Sequence, residues 1–163
     1  TFYNHEIVSS RIASKIGQRL KLSTDEQQKL FDLVRYHMFY YQPHHTDSAI
    51  RRLMKRVGLE NIDDILDLRE GDRLGSGARK TSWRLEELKQ RMVEQLHQPF
   101  AVTDLAIDVH DLIQHFDLKP GPIIGQVLDE LMERVLDNPD LNQKDELLTE
   151  AKQILLAKGF EIN

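Results

Sequence analysis

The chain has 163 residues, 40% hydrophobic and 30% charged, with a formal net charge of −5 and no cysteine. This length holds one domain or two small ones with a real core. The lack of cysteine excludes disulfides and thiolate metal sites and fits a reducing cytoplasm, and no apolar run approaches the roughly 18–20 residues that span a bilayer.

The first residue is Thr1, not Met, and further sequence is expected upstream of it. Asn4 is placed to cap a first helix running to about Leu22, with Ile7, Val8, Ile12, Ile16 and Leu20 on its buried side. Ser23-Thr24-Asp25-Glu26 reads as a capping box, in which Ser23 accepts from the N3 amide while Glu26 reaches back. The second helix is expected to reach about Tyr41, with Leu30, Phe31, Val34 and Met38 inward. Gln42 to Thr46 forms a loop containing His44 and His45, adjacent side chains expected to diverge on the surface. Thr46 or Asp47 caps a third helix that Gly58 stops at Val57. Asn61 opens a fourth helix, Ile62 to about Leu74, and Gly75-Ser76-Gly77 is a flexible break. Thr81 or Ser82 opens a fifth, with Trp83, Leu85, Leu88, Met92 and Leu96 along it.

Pro99 marks the change to a final region. A short helix covers about Asp111 to Phe116. Pro120-Gly121-Pro122 stops what precedes it and starts a new helix, because Pro122 suits a first turn where its missing N–H would be unpaired anyway. Ile124, Val127, Leu128, Leu131, Val135 and Leu136 give that helix one buried face. Gly125 in its first turn costs about 1 kcal/mol relative to Ala, which suggests another backbone close by. Asn138-Pro139 ends it, and Asn142 is placed to cap a last helix, Gln143 to Lys158. No period-2 alternation is present, so the fold class is all-α.

Charge divides unevenly. Residues 1–92 hold 17 Lys/Arg and 13 Asp/Glu, a net of +4, and residues 93–163 hold 5 and 14, a net of −9. Such asymmetry points to a directed electrostatic partner or to pairing between the halves. In the third helix, Arg51 and Lys55, and Arg52 and Arg56, stand four apart and lie side by side. With Arg79, Lys80 and Arg84 beyond the glycine break, they make a candidate phosphate-tracking surface for RNA. Tyr36, Tyr40 and Tyr41 are candidates to stack on bases, although at least two of them suit a core or an interface. Asp104, Asp108 and Asp111 read as helix caps. Catalytic machinery for nucleotide addition is missing: no Asp-x-Asp pair occurs to hold two metal ions, and no strand precedes Gly75-Ser76.

The stretch PGPIIGQVLDELMERVLDNPDLNQKDELL, preceded by DLAID-x-x-DL, resembles the C-terminal region of the bacterial tRNA nucleotidyltransferase / poly(A) polymerase family. The resemblance covers about 45 residues strongly and continues more weakly to the first residue. The family usually has glycine where this chain has Val109, which sets the tight turn expected between Ile107 and Asp111 against a residue that accepts positive φ poorly. The resemblance implies an HD-like helical domain at residues 1–92, with its N-terminal part missing, followed by a helical RNA-binding tail domain at 93–163. It also implies tRNA or another RNA as partner, and a catalytic head upstream that takes CTP or ATP with a divalent metal, Mg or Mn. This chain alone is then expected to bind no metal tightly and to add no nucleotides. His5 in YNHE, His37 in RYHM and Asp72 in REGDR fall where HD-type phosphohydrolases place metal ligands, but the His-Asp doublet is absent. A metal-dependent phosphohydrolase acting on phosphomonoesters or cyclic nucleotides is the competing reading. A module that dimerises through its acidic half is a third.

Overall fold

A computed structural model describes residues 4–160. Among them are eight α-helices and no strand: α1 (His5–Arg19), α2 (Thr24–Tyr36), α3 (Asp47–Val57), α4 (Ile62–Gly75), α5 (Trp83–Gln95), α6 (Val109–Phe116), α7 (Pro122–Asp137) and α8 (Lys144–Ala157). The fold is all-α. The chain divides into two compact units, Thr1–Glu94 and Gln95–Asn163.

In the first unit α1 lies along α2, and α2 packs on α3 and α4. The expected buried face of α1 is the wrong one. Ile7 is half-buried, but Val8, Ile12, Ile16 and Leu20 are exposed, while Ser10, Ala13 and Gly17 are buried. Small side chains let two helices approach closely, and that contact displaces the larger apolar residues outward. A Cβ added to Gly17 would stand 3.2 Å from Gln27 Cγ and 3.7 Å from both Leu22 and Leu30. Asn4 does stand at the N-cap, but in the left-handed region (φ 59°) with no side-chain cap bond. The helix ends at Arg19 because Lys21 turns left-handed (φ 56°). Leu22 N–H then bonds Gly17 O at 3.0 Å and Lys21 N–H bonds Gln18 O at 3.0 Å, a Schellman closure.

The capping box of α2 is formed. Ser23 N–H donates to Glu26 Oε2 at 2.8 Å, and Glu26 N–H donates back to Ser23 Oγ at 3.3 Å. α2 stops at Tyr36, five residues short of the expected Tyr41, so Met38 leaves the helical register and is exposed. Thr46 caps α3 through Ala49 N–H, and Gly58 (φ 88°) closes it. Ile50, Met54, Val57, Ile62, Ile65, Leu66, Leu85, Leu88 and Met92 are buried and supply the core. Trp83 and Leu96, which the sequence places along the fifth helix, are both exposed. Asn61 opens α4 by position but makes no side-chain cap; its amide donates instead to Val57 O at 3.0 Å.

The second unit is built around α7. α7 packs on α6 and α8, and α6 also meets α8. Ile124, Val127, Leu128, Leu131, Val135 and Leu136 of α7 are buried as their spacing requires, with Met132 beside them. Gly125, however, is exposed, and a Cβ there would meet nothing within 4 Å, so no backbone approaches it. All three aspartates act as caps. Asp104 accepts from Phe100 and Ala101 N–H at 2.9 Å each, and Asp108 and Asp111 form a reciprocal capping box. Val109 is therefore the first residue of α6 and has no positive φ, which removes its conflict with the turn. Asn142 does not cap α8. Its side chain bridges to the segment before α6, accepting from Ala106 N–H at 2.8 Å and donating to Asp104 O at 2.9 Å.

Candidate nucleic-acid interface

Arginines and aromatic rings concentrate around the loop from Met38 to Thr46 of the first unit. The loop exists because α2 ends at Tyr36, with His37 as its C-cap. Arg91 of α5 holds it. The guanidinium bonds Asp47 (Nε to Oδ1, 3.2 Å), the Tyr41 hydroxyl at 3.2 Å and Pro43 O at 3.4 Å. The Asp47 bond raises the Arg91 pKa above its ordinary value. A second clamp joins α4 to α5. The Glu70 carboxylate receives Lys89 Nζ at 2.6 Å and Lys80 Nζ at 3.2 Å, which lowers its pKa, mainly through Lys89.

Two clefts flank the loop, and both share Phe39, Tyr40, Tyr41 and Leu88 as lining. The larger, about 490 Å³, adds Arg35, Arg52, Arg56 and Tyr36, with Glu6 as its acid. The smaller, about 320 Å³, adds Arg69, Arg73, Trp83 and Arg84. Guanidinium groups lie over the rings. Arg35 and Arg56 are each 6.0 Å from the Tyr36 centroid, Arg69 is 5.9 Å from Phe39, and Arg84 is 5.2 Å from Trp83. Such spacing suits cation–π attraction. Glu6 pairs with Arg35 at 3.6 Å, and Asp72 pairs with Arg69 at 3.1 Å. Among the described residues Arg56, Arg73 and Arg84 make no ion pair with a carboxylate. Arg73 instead donates to Arg79 O at 3.0 Å and Thr81 O at 3.4 Å.

The expected basic stripe is thus only partly a surface. Arg51 is 5% exposed, because it falls between the buried Ile50 and Met54 on the inner side of α3. Arg51, Arg52 and Lys55 all interact within the protein. Arg56 remains exposed, over Tyr36. Lys80 is tied to Glu70, Arg79 is exposed, and Arg84 lies on Trp83. Sequence reasoning missed Arg35, Phe39 and Trp83 as lining. The Trp83-Arg84 doublet at a helix start was the available signal for the last of these.

His5 and His37 do meet, edge to face at 5.6 Å. His37 Nδ1 lies 2.7 Å from Val34 O. Asp72 is neutralised by Arg69, and no group of three or more His, Asp or Glu among the described residues is arranged to hold a metal ion. His44 and His45 do not diverge: their rings stand 5.1 Å apart, and His45 also meets Tyr40 and Tyr41 edge-on.

A family profile described as tRNA nucleotidyltransferase domain 2 matches residues 4–151. The chain is 36% identical over 53 residues to a CCA-adding enzyme of Lactococcus lactis subsp. cremoris (strain MG1363), covering 32% of this chain and 13% of that protein. It is 32% identical over 83 residues to a CCA-adding enzyme of Streptococcus suis (strain 05ZYH33), covering 39% of this chain and 21% of that protein. The matches therefore span a small part of those relatives. No solved structure matches. No helix among the described residues is long and apolar enough to cross a membrane.

Proposed function

Since the chain belongs to the tRNA nucleotidyltransferase domain 2 family, we propose that it is the helical, RNA-holding C-terminal region of a CCA-adding enzyme. CCA addition is preferred to poly(A) addition because the relatives quoted are CCA-adding enzymes. The first unit grips the body of a tRNA through phosphate contacts. The nucleotidyl transfer itself, with its CTP, ATP and divalent metal, belongs to a catalytic head elsewhere in the parent protein.

The observation that carries this reading is the pair of clefts where Arg56 lies over Tyr36 and Arg84 over Trp83, with Arg73 in the lining, all three without a carboxylate partner among the described residues. Arginine is suited to phosphate because its planar fork presents several donors at once. Phosphate contacts of this kind fix register and orientation without reading bases. Holding an RNA end over a distant active site speeds the reaction by positioning, with no reacting group on this region. The test is to incubate the pure chain with a tRNA lacking its 3′ CCA and with labelled CTP and ATP. Saturable tRNA binding with no incorporation is the expected result. Incorporation by this chain alone would overturn the division of labour, and the lack of any tRNA binding would overturn the assignment.

A further inference from the structure

We infer that the two clefts around the 38–46 loop take unpaired nucleotides of an RNA, with bases stacked on Tyr40 and Trp83 and phosphates on the flanking arginines. This rests on the RNA-holding reading and adds the kind of RNA structure that is held. Phosphate tracking needs cations alone, yet two of the rings that line these clefts are largely open to solvent. Tyr40 is 71% exposed and Trp83 64% exposed, and both line the smaller cleft. Single exposed apolar residues are ordinary on protein surfaces. Two exposed rings in one concave site, each beside a guanidinium or an imidazole, form a stacking platform. Arg84 lies 5.2 Å from the Trp83 ring, and His45 lies edge-on to Tyr40 at 5.7 Å.

Bases inside a duplex already stack on one another and expose no face to a protein ring, whereas unpaired bases can be splayed onto aromatic side chains. Every base has a π face, so such a platform tolerates sequence. The platform is also held in place. Arg91 ties Tyr41, Pro43 and Asp47 together, and the Tyr40 hydroxyl accepts from Gln42 Nε2 at 2.8 Å. Holding the loop before binding reduces the ordering cost that a ligand would otherwise meet. Tyr40 is common to both clefts, which lets consecutive unpaired nucleotides pass from the Arg56 side to the Arg73 and Arg84 side.

Trp83 is the sole tryptophan of the chain, so its fluorescence reports this site alone. The experiment titrates the full chain with an oligouridylate of about 12 nucleotides, within the size range of single-strand sites. A hairpin RNA of equal phosphate number, with nearly all its bases paired in the stem and a minimal closing loop, serves as the duplex probe. Affinities of labelled RNA are read in parallel by anisotropy. The expected result is quenching of Trp83 by the oligouridylate and much less by the hairpin. Tyr40→Ala should weaken oligouridylate binding about tenfold and leave hairpin binding within about twofold, since stacking acts on unpaired bases. Trp83→Phe should keep oligouridylate affinity near wild type, and Trp83→Ala should lower it. Binding of the hairpin without Trp83 quenching by either RNA would overturn the inference and leave the RNA-holding reading intact. Equal loss of both affinities in Tyr40→Ala would also overturn it. Binding of neither RNA would overturn both.

Discussion

The backbone amide of Ala106 and the side chain of Asn142 are joined at 2.8 Å, and the same side chain donates to the carbonyl of Asp104 at 2.9 Å. One side-chain amide thus satisfies a donor and an acceptor 36 and 38 residues away, and fixes the segment before α6 to the turn before α8. Asn142→Leu removes both bonds. At about 0.5–1.5 kcal/mol for each net hydrogen bond, it should lower the stability of the second unit by roughly 1–3 kcal/mol. Hydrogen exchange at Ala106 checks this directly, since that amide should lose its protection. Unchanged exchange would show that the bridge does not form in solution.

Glycine substitutions should split in sign. Gly125 is exposed in the first turn of α7, with open space where a Cβ would go. Gly125→Ala should raise stability by up to about 1 kcal/mol, seen as a higher thermal midpoint. A Cβ added at Gly17 would stand 3.2–3.7 Å from Gln27, Leu22 and Leu30. Gly17→Leu should push α1 away from α2 and cost about 1–3 kcal/mol, with a lower midpoint in the same assay.

Glu70 predicts an acid-sensitive clamp. Its pKa is lowered from 4.5, first by the Lys89 hydrogen bond and then by Lys80. A carboxylate with a lowered folded pKa contributes stability above its unfolded value and loses it as pH falls through the folded value. Glu70→Gln should therefore be less stable than wild type at pH 7. The difference should shrink below about pH 4.5 and vanish at lower pH. Thermal midpoints of the two proteins across that range measure it; a constant difference would assign the effect to packing.

The sequence made much of the second unit legible because one strong regularity governs it. Pro122 at a first turn and an unbroken apolar period in α7 leave a single way to bury Ile124 to Leu136. The first unit was less legible for a physical reason. Large apolar residues mark a buried face only when they do the packing, and α1 packs through Ser10, Ala13 and Gly17 instead. The candidate site was read in part. On α3 the i, i+3, i+4, i+7 spacing points Ile50, Leu53, Met54 and Val57 inward, and all but the half-buried Leu53 are buried, but the burial of Arg51 depends on the exact rotation of α3. The clefts depend on where α2 stops. Once it ends at Tyr36, Phe39 to Tyr41 become loop residues, and no helical pattern announces their shared lining.

The most direct test of the central claim is the salt dependence of tRNA affinity for the wild-type chain and for the double variant Arg56→Gln, Arg84→Gln. Log affinity falls linearly with log salt, by about 0.7–0.9 for each phosphate contact. The account predicts a steep wild-type slope and a slope flatter by roughly 1.4–1.8 in the double variant. A slope identical in the two proteins, with unchanged affinity, would show that these arginines contact no phosphate and would contradict the assignment.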